Sequence, residues 1–294
     1  MIRIIAQRKL LYLIAGILTG GSLLALALWG LRPGIDFTGG SLLEVEIAGE
    51  LPTAEAVNES LASLNLGDTT VQSAGERGFI LRFQTVDEPT HQQVLRALQD
   101  RFGAEEVRFE SVGPVIGKEL QRKSTIALIL VLIGIAVYVA WAFRKVSQPV
   151  QSWKYGVLTL VAAAHDVIIP MGLFAVLGRF AGVEVGTSFI AALLTILGYS
   201  VNDTIVVFDR VRENLLRSRG DFGEIVERSV QQTFARSINT TATSLFAILA
   251  VLFFGGETVR PLALALTVGI AAGAYSSIFI ASPLLVTWEK HSKR

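Results

Sequence analysis

Residues 185–208 read VGTSFIAALLTILGYSVNDTIVVF, and the reading of this stretch decides the fold. From Val185 to Asn202 it carries no Asp, Glu, Lys or Arg. A hydrocarbon core about 30 Å thick needs roughly 20 helical residues. The stretch qualifies if it continues through Asp203 to Phe208, which makes Asp203 an intramembrane carboxylate. Five further uncharged runs, 10–31, 124–143, 155–178, 237–256 and 261–288, are long enough outright. The chain therefore reads as an α-helical polytopic membrane protein with six transmembrane helices.

Composition agrees. Of 294 residues, 51% are hydrophobic and only 17% charged, with a mean hydropathy of +0.53. Soluble chains usually carry about 25% charge, so a soluble enzyme, a disordered chain and a nucleic-acid binder are excluded. There is no Cys, hence no disulfide, thiolate metal site or Cys nucleophile. His91, His165 and His291 are the only histidines, and they form no cluster that would make a zinc site. No catalytic, cofactor or metal residue is assigned.

Cations set the orientation. Arg3, Arg8 and Lys9 lie on one side, with Arg144, Lys145 and Lys154, six Arg between 210 and 236, and Lys290, Lys293 and Arg294. The short opposite loops hold only Arg179 and Arg260. Both termini are expected in the cytoplasm. Residues 1–32 are the cytoplasmic start and first span. The basic start and Ala25-Leu26-Ala27 imitate a signal peptide, but the 22-residue apolar run favours an uncleaved span. Residues 119–294 hold spans two to six and a cytoplasmic C-terminus, with 209–236 as an amphipathic cytoplasmic segment read as a surface helix at the membrane.

Residues 33–118 form an extracytoplasmic domain with 6 Lys+Arg against 14 Asp+Glu, a net charge of −8. Ser41–Ala48 alternates in part as a strand, and Thr53 is placed to cap a short amphipathic helix. Residues 69–74 and 79–83 read as a hairpin broken at Gly75, Asp87–Arg101 as a helix, and Val107–Phe109 as a last strand. The order βαββαβ is that of a ferredoxin-like α+β unit. His91 reads as solvated.

A charge at the middle of a spanning helix costs roughly 2.5–3.5 kcal/mol on insertion scales. Asp203 and Asp166 are therefore the candidates for function. In the fourth span Ser188, Ala191, Ala192, Thr195, Gly198, Tyr199, Asn202 and Asp203 fall on one stripe, which is expected to face a neighbouring helix. In the third, Thr159, Ala163, Asp166 and Pro170 share a face. In the fifth, Arg236, Asn239, Thr240 and Thr243 share one side. Arg236 can reach the depth of Asp203, where the two would pair until a proton neutralises the carboxylate. The plainer readings are that Arg236 anchors the helix at the interface and that Asp166 is a structural carboxylate satisfied by His165 or a helix partner. His165, Tyr199, Asn202, Asn239 and Thr240 are candidates for a supporting polar shell. Gly16-x-x-x-Gly20 and Gly269-x-x-x-Gly273 mark close helix contacts at most.

Four motifs are recognisable: Gly34-Ile-Asp-Phe-Thr-Gly-Gly40, Val112-Gly-Pro-Val-Ile-Gly117, Ala164-His165-Asp166, and LGYSVNDTIVVFDRVREN from Leu197 to Asn214. Together they resemble the SecF family of the bacterial Sec protein translocase, part of the SecDF complex in the RND-like superfamily. The resemblance spans nearly the whole chain. It implies half of a twelve-span transporter in the cell inner membrane. With SecD it would use the proton motive force to promote late steps of preprotein translocation through SecYEG. YajC and YidC are further implied partners, beside preprotein substrates and membrane lipid. It implies no cofactor, with a proton or a sodium ion as coupling ion. The family's relay Asp maps onto Asp203 and its Arg onto Arg236, and Asp166 lies in a family motif as a third relay candidate. Two other functions are weighed. An RND-type proton/small-molecule antiporter subunit would need a cleft that a small acidic domain hardly supplies. An intramembrane aspartyl protease would need a Gly-x-Gly-Asp arrangement, which the sequence before Asp203 lacks.

Overall fold

The computed structural model describes residues 3–75, 77–144, 150–217, 220–256 and 258–292. Lys145, Arg219, Lys293 and Arg294, counted above for orientation, and Glu76, counted among the acidic residues, lie outside the described residues.

In chain order the elements are α1 (Arg8–Trp29), α2 (Ile35–Thr38), β1 (Gly40–Ile47), α3 (Ala54–Leu61), β2 (Thr70–Ala74) and β3 (Gly78–Phe83). Next come α4 (Glu88–Phe102), β4 (Ala104–Val112), α5 (Pro114–Ala142), α6 (Ser152–Phe180) and α7 (Thr187–Arg217). The last are α8 (Phe222–Phe254), α9 (Arg260–Ser276), a π-helical turn (Ser277–Ala281) and α10 (Ser282–Ser292). The chain divides into two units: Met1–Arg32 with Ile126–Arg294, and Pro33–Thr125.

The second unit is a four-stranded antiparallel sheet in the order β2-β3-β1-β4, carrying α3 and α4. Period-two alternation sends Leu43, Val45 and Ile47 of β1 and Phe79, Leu81 and Phe83 of β3 to one face. Val57 and Leu61 of α3 and Val94 and Leu98 of α4 complete that apolar core. Local chemistry fixes the helix ends. Thr53 accepts the Ala56 amide at 3.2 Å, and Asp87 accepts that of Thr90 at 3.1 Å. Gly103, at φ +64°, closes α4 in the left-handed conformation that suits glycine. Two of the sequence motifs meet here. A Cβ on Gly39 would lie 2.6 Å from Pro114 Cα, and one on Gly117 would lie 2.9 Å from the Gly39 nitrogen. Only glycine allows backbones to approach so closely.

His91 is not solvated. It is 4% exposed and stacks on Phe109 with ring centroids 3.7 Å apart. Its Nδ1 lies 3.2 Å from Glu88 and its Nε2 3.0 Å from Glu106. The polar face of α4 that holds it is turned onto β4, where the carboxylates replace water.

In the first unit, six helices are long and apolar enough to cross a membrane: α1, α5, α6, α7, α8 and the run Arg260–His291. They differ in cover. The apolar windows of α6, α7 and the last run are 44–50% buried within the chain, against 6–11% for α1, α5 and α8. The first group forms the centre. Close approach needs small residues: a Cβ at Gly172 of α6 would lie 2.4 Å from Ser22 Cα of α1. A Cβ at Gly16 or Gly20 would meet nothing within 4 Å among the described residues, whereas one at Gly269 would strike Ile196 at 2.2 Å and one at Gly273 would strike Ser200 at 2.9 Å.

Residues 209–236 do not form a separate surface helix. Up to Arg217 they prolong α7, and from Phe222 they open α8, so the two spanning helices run on as a paired hairpin. Asn214 donates to Ser229 at 2.8 Å and to Gln232 at 2.9 Å, and Val211, Val226 and Val230 are buried between them. The apolar positions taken for a membrane-facing side are covered by the facing helix. Glu227 of α8 accepts the amides of Ile4 at 3.0 Å and Ile5 at 2.7 Å, which fastens the N-terminal segment to the hairpin.

Candidate functional site

Glycine contacts bring α7 and α9 together, α6 packs against both, and polar side chains lie in that contact. Asp166 of α6 is fully buried. Its Oδ1 faces His165 Nδ1 at 2.8 Å, and its Oδ2 accepts from Ser276 at 2.7 Å and from Ser200. Thr159, Ala163 and Pro170 are buried on the same face. Pro170 has no N–H, so the Asp166 carbonyl loses its helical donor and α6 is locally weakened there. His165 is 5% exposed and its Nε2 has no hydrogen-bond partner.

One turn along α7 lies a second polar group. Asp203 Oδ1 accepts from Ser237 of α8 at 2.6 Å, while Oδ2 is buried without a partner. Thr204 is within 2.8 Å of Ser277 Oγ, which also donates to the carbonyls of Gly273 at 2.9 Å and Ser200 at 3.3 Å. Neighbouring serines where α9 meets the π-helical turn thus link the two groups: Ser276 binds Asp166, and Ser277 binds Thr204, the residue next to Asp203.

Other candidates lie elsewhere. Arg236 is exposed and makes no ion pair with Asp203 among the described residues; the position facing Asp203 is its neighbour Ser237. Asn239, Thr240 and Thr243 share the exposed side with Arg236. Tyr199 is half-buried, its hydroxyl unpartnered, and Asn202 is exposed. The stripe on α7 departs from expectation: Ser188, Ala191, Thr195, Gly198 and Asn202 are uncovered, whereas Phe189, Leu193, Ile196, Leu197, Ser200 and Thr204 pack inward. Periodicity separates the two faces, but a medium as apolar as Leu does not say which is inside. The sequence reading passed over Ser200, Thr204, Ser237, Ser276 and Ser277. The available signal was Ser200 and Thr204 four apart on a buried face, and a Ser pair inside an otherwise apolar run.

A six-span bundle with two carboxylates in its polar centre, interrupted by an α+β domain after the first span, defines a class: integral membrane proteins whose ionisable groups lie within the helices. The model of the protein export membrane protein SecD/SecF C-terminal region matches residues 91–291, and that of the SecD/SecF GG motif matches residues 30–48. The protein translocase subunit SecF of Thermobaculum terrenum is 43% identical, covering 98% of this chain and 94% of its own. That of Anaerolinea thermophila is 38% identical with the same coverage. The crystal structure of SecDF from Thermus thermophilus, a translocon-associated membrane protein, superposes with a TM-score of 0.85 at 34% identity over 98% of this chain. This chain spans only 39% of that SecDF chain. It belongs to the SecD/SecF family of protein-export membrane proteins, as a SecF-like translocase subunit.

Proposed function

We propose that this SecF-like subunit pairs with SecD in the bacterial cytoplasmic membrane and uses the proton motive force to promote late steps of preprotein translocation through SecYEG. Asp203 takes up and releases the proton, Arg236 is its charge partner in another state of the cycle, and Asp166 is a second carboxylate of the relay. The observation that carries this reading is the Asp203 carboxylate itself: one oxygen held by Ser237, the other buried with no partner. An ionised carboxylate buried with one oxygen unpaired is costly, and protonation removes the charge. One charge crossing 100 mV releases roughly 2.3 kcal/mol, enough to bias a two-state change in helix packing.

A SecD partner is supported by the uncovered small-residue stripe of α7, beside which Arg236, Asn239 and Thr240 are also exposed. It is supported too by the share of the SecDF chain that this one spans. YajC and YidC belong to the same proposal, as do cytoplasmic termini and an extracytoplasmic sheet domain. The subunit is no enzyme and needs no cofactor; the coupling ion is a proton, with sodium as the alternative. An aspartyl dyad requires two carboxylates sharing a proton. Asp166 and Asp203 share no hydrogen bond among the described residues, each having its own serine donors.

The test is Asp203→Asn in the assembled complex, reconstituted in vesicles with an imposed proton gradient. Export should lose its dependence on the gradient while SecD still co-purifies. Unaltered gradient-dependent export would end the proposal.

A further inference from the structure

His165 presents a problem that the Asp203 reading does not solve. Its Nδ1 faces Asp166, and with an ionised Asp166 the ring hydrogen sits on Nδ1 and the Nε2 lone pair is bare in an apolar interior. Buried polar atoms without partners are rare enough to call for an explanation. Asp166 in turn accepts from His165, Ser200 and Ser276, the donor set that suits an ionised carboxylate. No Lys or Arg is ion-paired with it among the described residues. In this form the pair carries a net charge of −1 in the centre of the bundle.

We propose that His165–Asp166 is a second proton-binding site, with His165 Nε2 as the atom that accepts the proton, and that Ser276 and Ser277 tie its occupancy to the surroundings of Asp203. This rests on the reading of the subunit as proton-driven. The proton adds to the Nε2 lone pair and gives an imidazolium beside the carboxylate, so the pair passes from −1 to neutral. No heavy-atom bond is broken, and the Nδ1 hydrogen stays on Nδ1, donated to Asp166. The imidazolium draws the carboxylate charge towards Oδ1 and weakens the hold of Oδ2 on its two hydroxyls. Ser276 has a second acceptor ready, the Gly273 carbonyl at 3.1 Å. The next residue, Ser277, holds Thr204 and opens the π-helical turn. Such turns are rare and often sit at functional sites. A small rotation of one backbone segment is thus felt at both carboxylates.

The titratable groups on the packed helices are few. Tyr275 of α9 has its ring 6.2 Å from that of His165 and gives its hydroxyl to the Leu11 carbonyl. Tyr12 of α1 pairs with Thr287 at 3.1 Å, and α7 brings Tyr199 and Asp203. Glu289 of α10 is buried.

Because the chain has three histidines, ring nitrogen NMR on the full chain with SecD in lipid nanodiscs resolves them, with His91→Gln and His291→Gln for assignment. The His165 ring should show the Nδ1–H tautomer at high pH and become an imidazolium on acidification. Asp203→Asn should move that midpoint by roughly one pH unit, as for interacting sites. Ser276→Ala with Ser277→Ala should abolish the displacement, and Ser276→Thr should restore part of it. A His165 ring that stays in one state on acidification overturns the site; a midpoint indifferent to Asp203→Asn overturns the coupling. The titration is read without any export assay. If export ignores Asp203→Asn yet His165 titrates, the motor reading has failed and not this one.

Discussion

The sheet domain and the helix bundle place their buried ionisable side chains differently. In the sheet domain the core of Leu43, Val45, Phe79, Leu81, Val94 and Leu98 holds no polar atom beyond the backbone, and His91 with its two glutamates lies at the margin against β4. In the bundle Asp166, Ser200, Thr204, Ser276 and Ser277 are buried as completely as Phe174, Ile196 and Leu197, while other large apolar side chains, such as Ile129, Val137 and Phe246, are exposed. The difference follows from the solvent. A domain in water is held by transfer of apolar surface, about 25 cal/mol per Å². Helices in lipid gain nothing by burying Leu against Leu, so glycine contacts and hydrogen bonds specify the packing. That is why groups able to hold a proton sit at the centre of one region and at the edge of the other.

This contrast can be broken by experiment. Leu81→Ala should have the largest effect, about 2–5 kcal/mol of lost stability, read as faster amide exchange throughout β1 and β3. A small loss would mean that the sheet core is not the apolar jigsaw its burial suggests. Gly273→Ala comes next. The new methyl meets Ser200 Cβ at 2.9 Å, and overpacking of this kind costs roughly 1–3 kcal/mol. Thermal unfolding in nanodiscs measures it, and a neutral result would show that α7 and α9 separate easily.

A smaller effect is expected at Asp87. Its carboxyl is held below the usual range by the hydroxyl and amide of Thr90, which favour the charged form. The cap therefore contributes fully above the unfolded carboxyl value near 3.9 and is lost as pH falls through the lower folded value. Exchange of the Thr90 amide should quicken there, and not in Asp87→Asn, whose cap cannot titrate. Gly16→Ala should do least. Nothing in the chain lies within 4 Å of the new methyl, and alanine favours the helix by about 1 kcal/mol at most. If this variant destabilises only when SecD is present, α1 becomes part of the subunit contact and the outer helices are not simply lipid-facing.

Much was legible before any coordinates. Uncharged runs gave the spans because lipid tolerates so few charges, and Thr53 marked a helix start because caps are local chemistry. The shared face of Thr159, Ala163, Asp166 and Pro170 is indeed buried. Other features depended on partners remote in sequence. His91 looked like a surface residue because Glu106 and Phe109, which bury it, belong to a different element. Residues 209–236 looked like a surface helix because their apolar positions say that something covers them, not what. A serine gives only a weak signal, through its spacing in an apolar run, because serine is at home in loops, caps and membrane helices alike.

The order of spans, the presence of an α+β insert and the placing of two acidic groups within apolar helices were settled by the sequence alone, since length and polarity against a slab of lipid admit one arrangement. Which face of α7 turns inward, which hydroxyls meet Asp166 and Asp203, and how Ser276 and Ser277 link the two sites were decided only when α6, α7 and α9 packed together. Hydrogen-bond partners are chosen by distance across the contact, and distance between remote residues is a property of the folded chain.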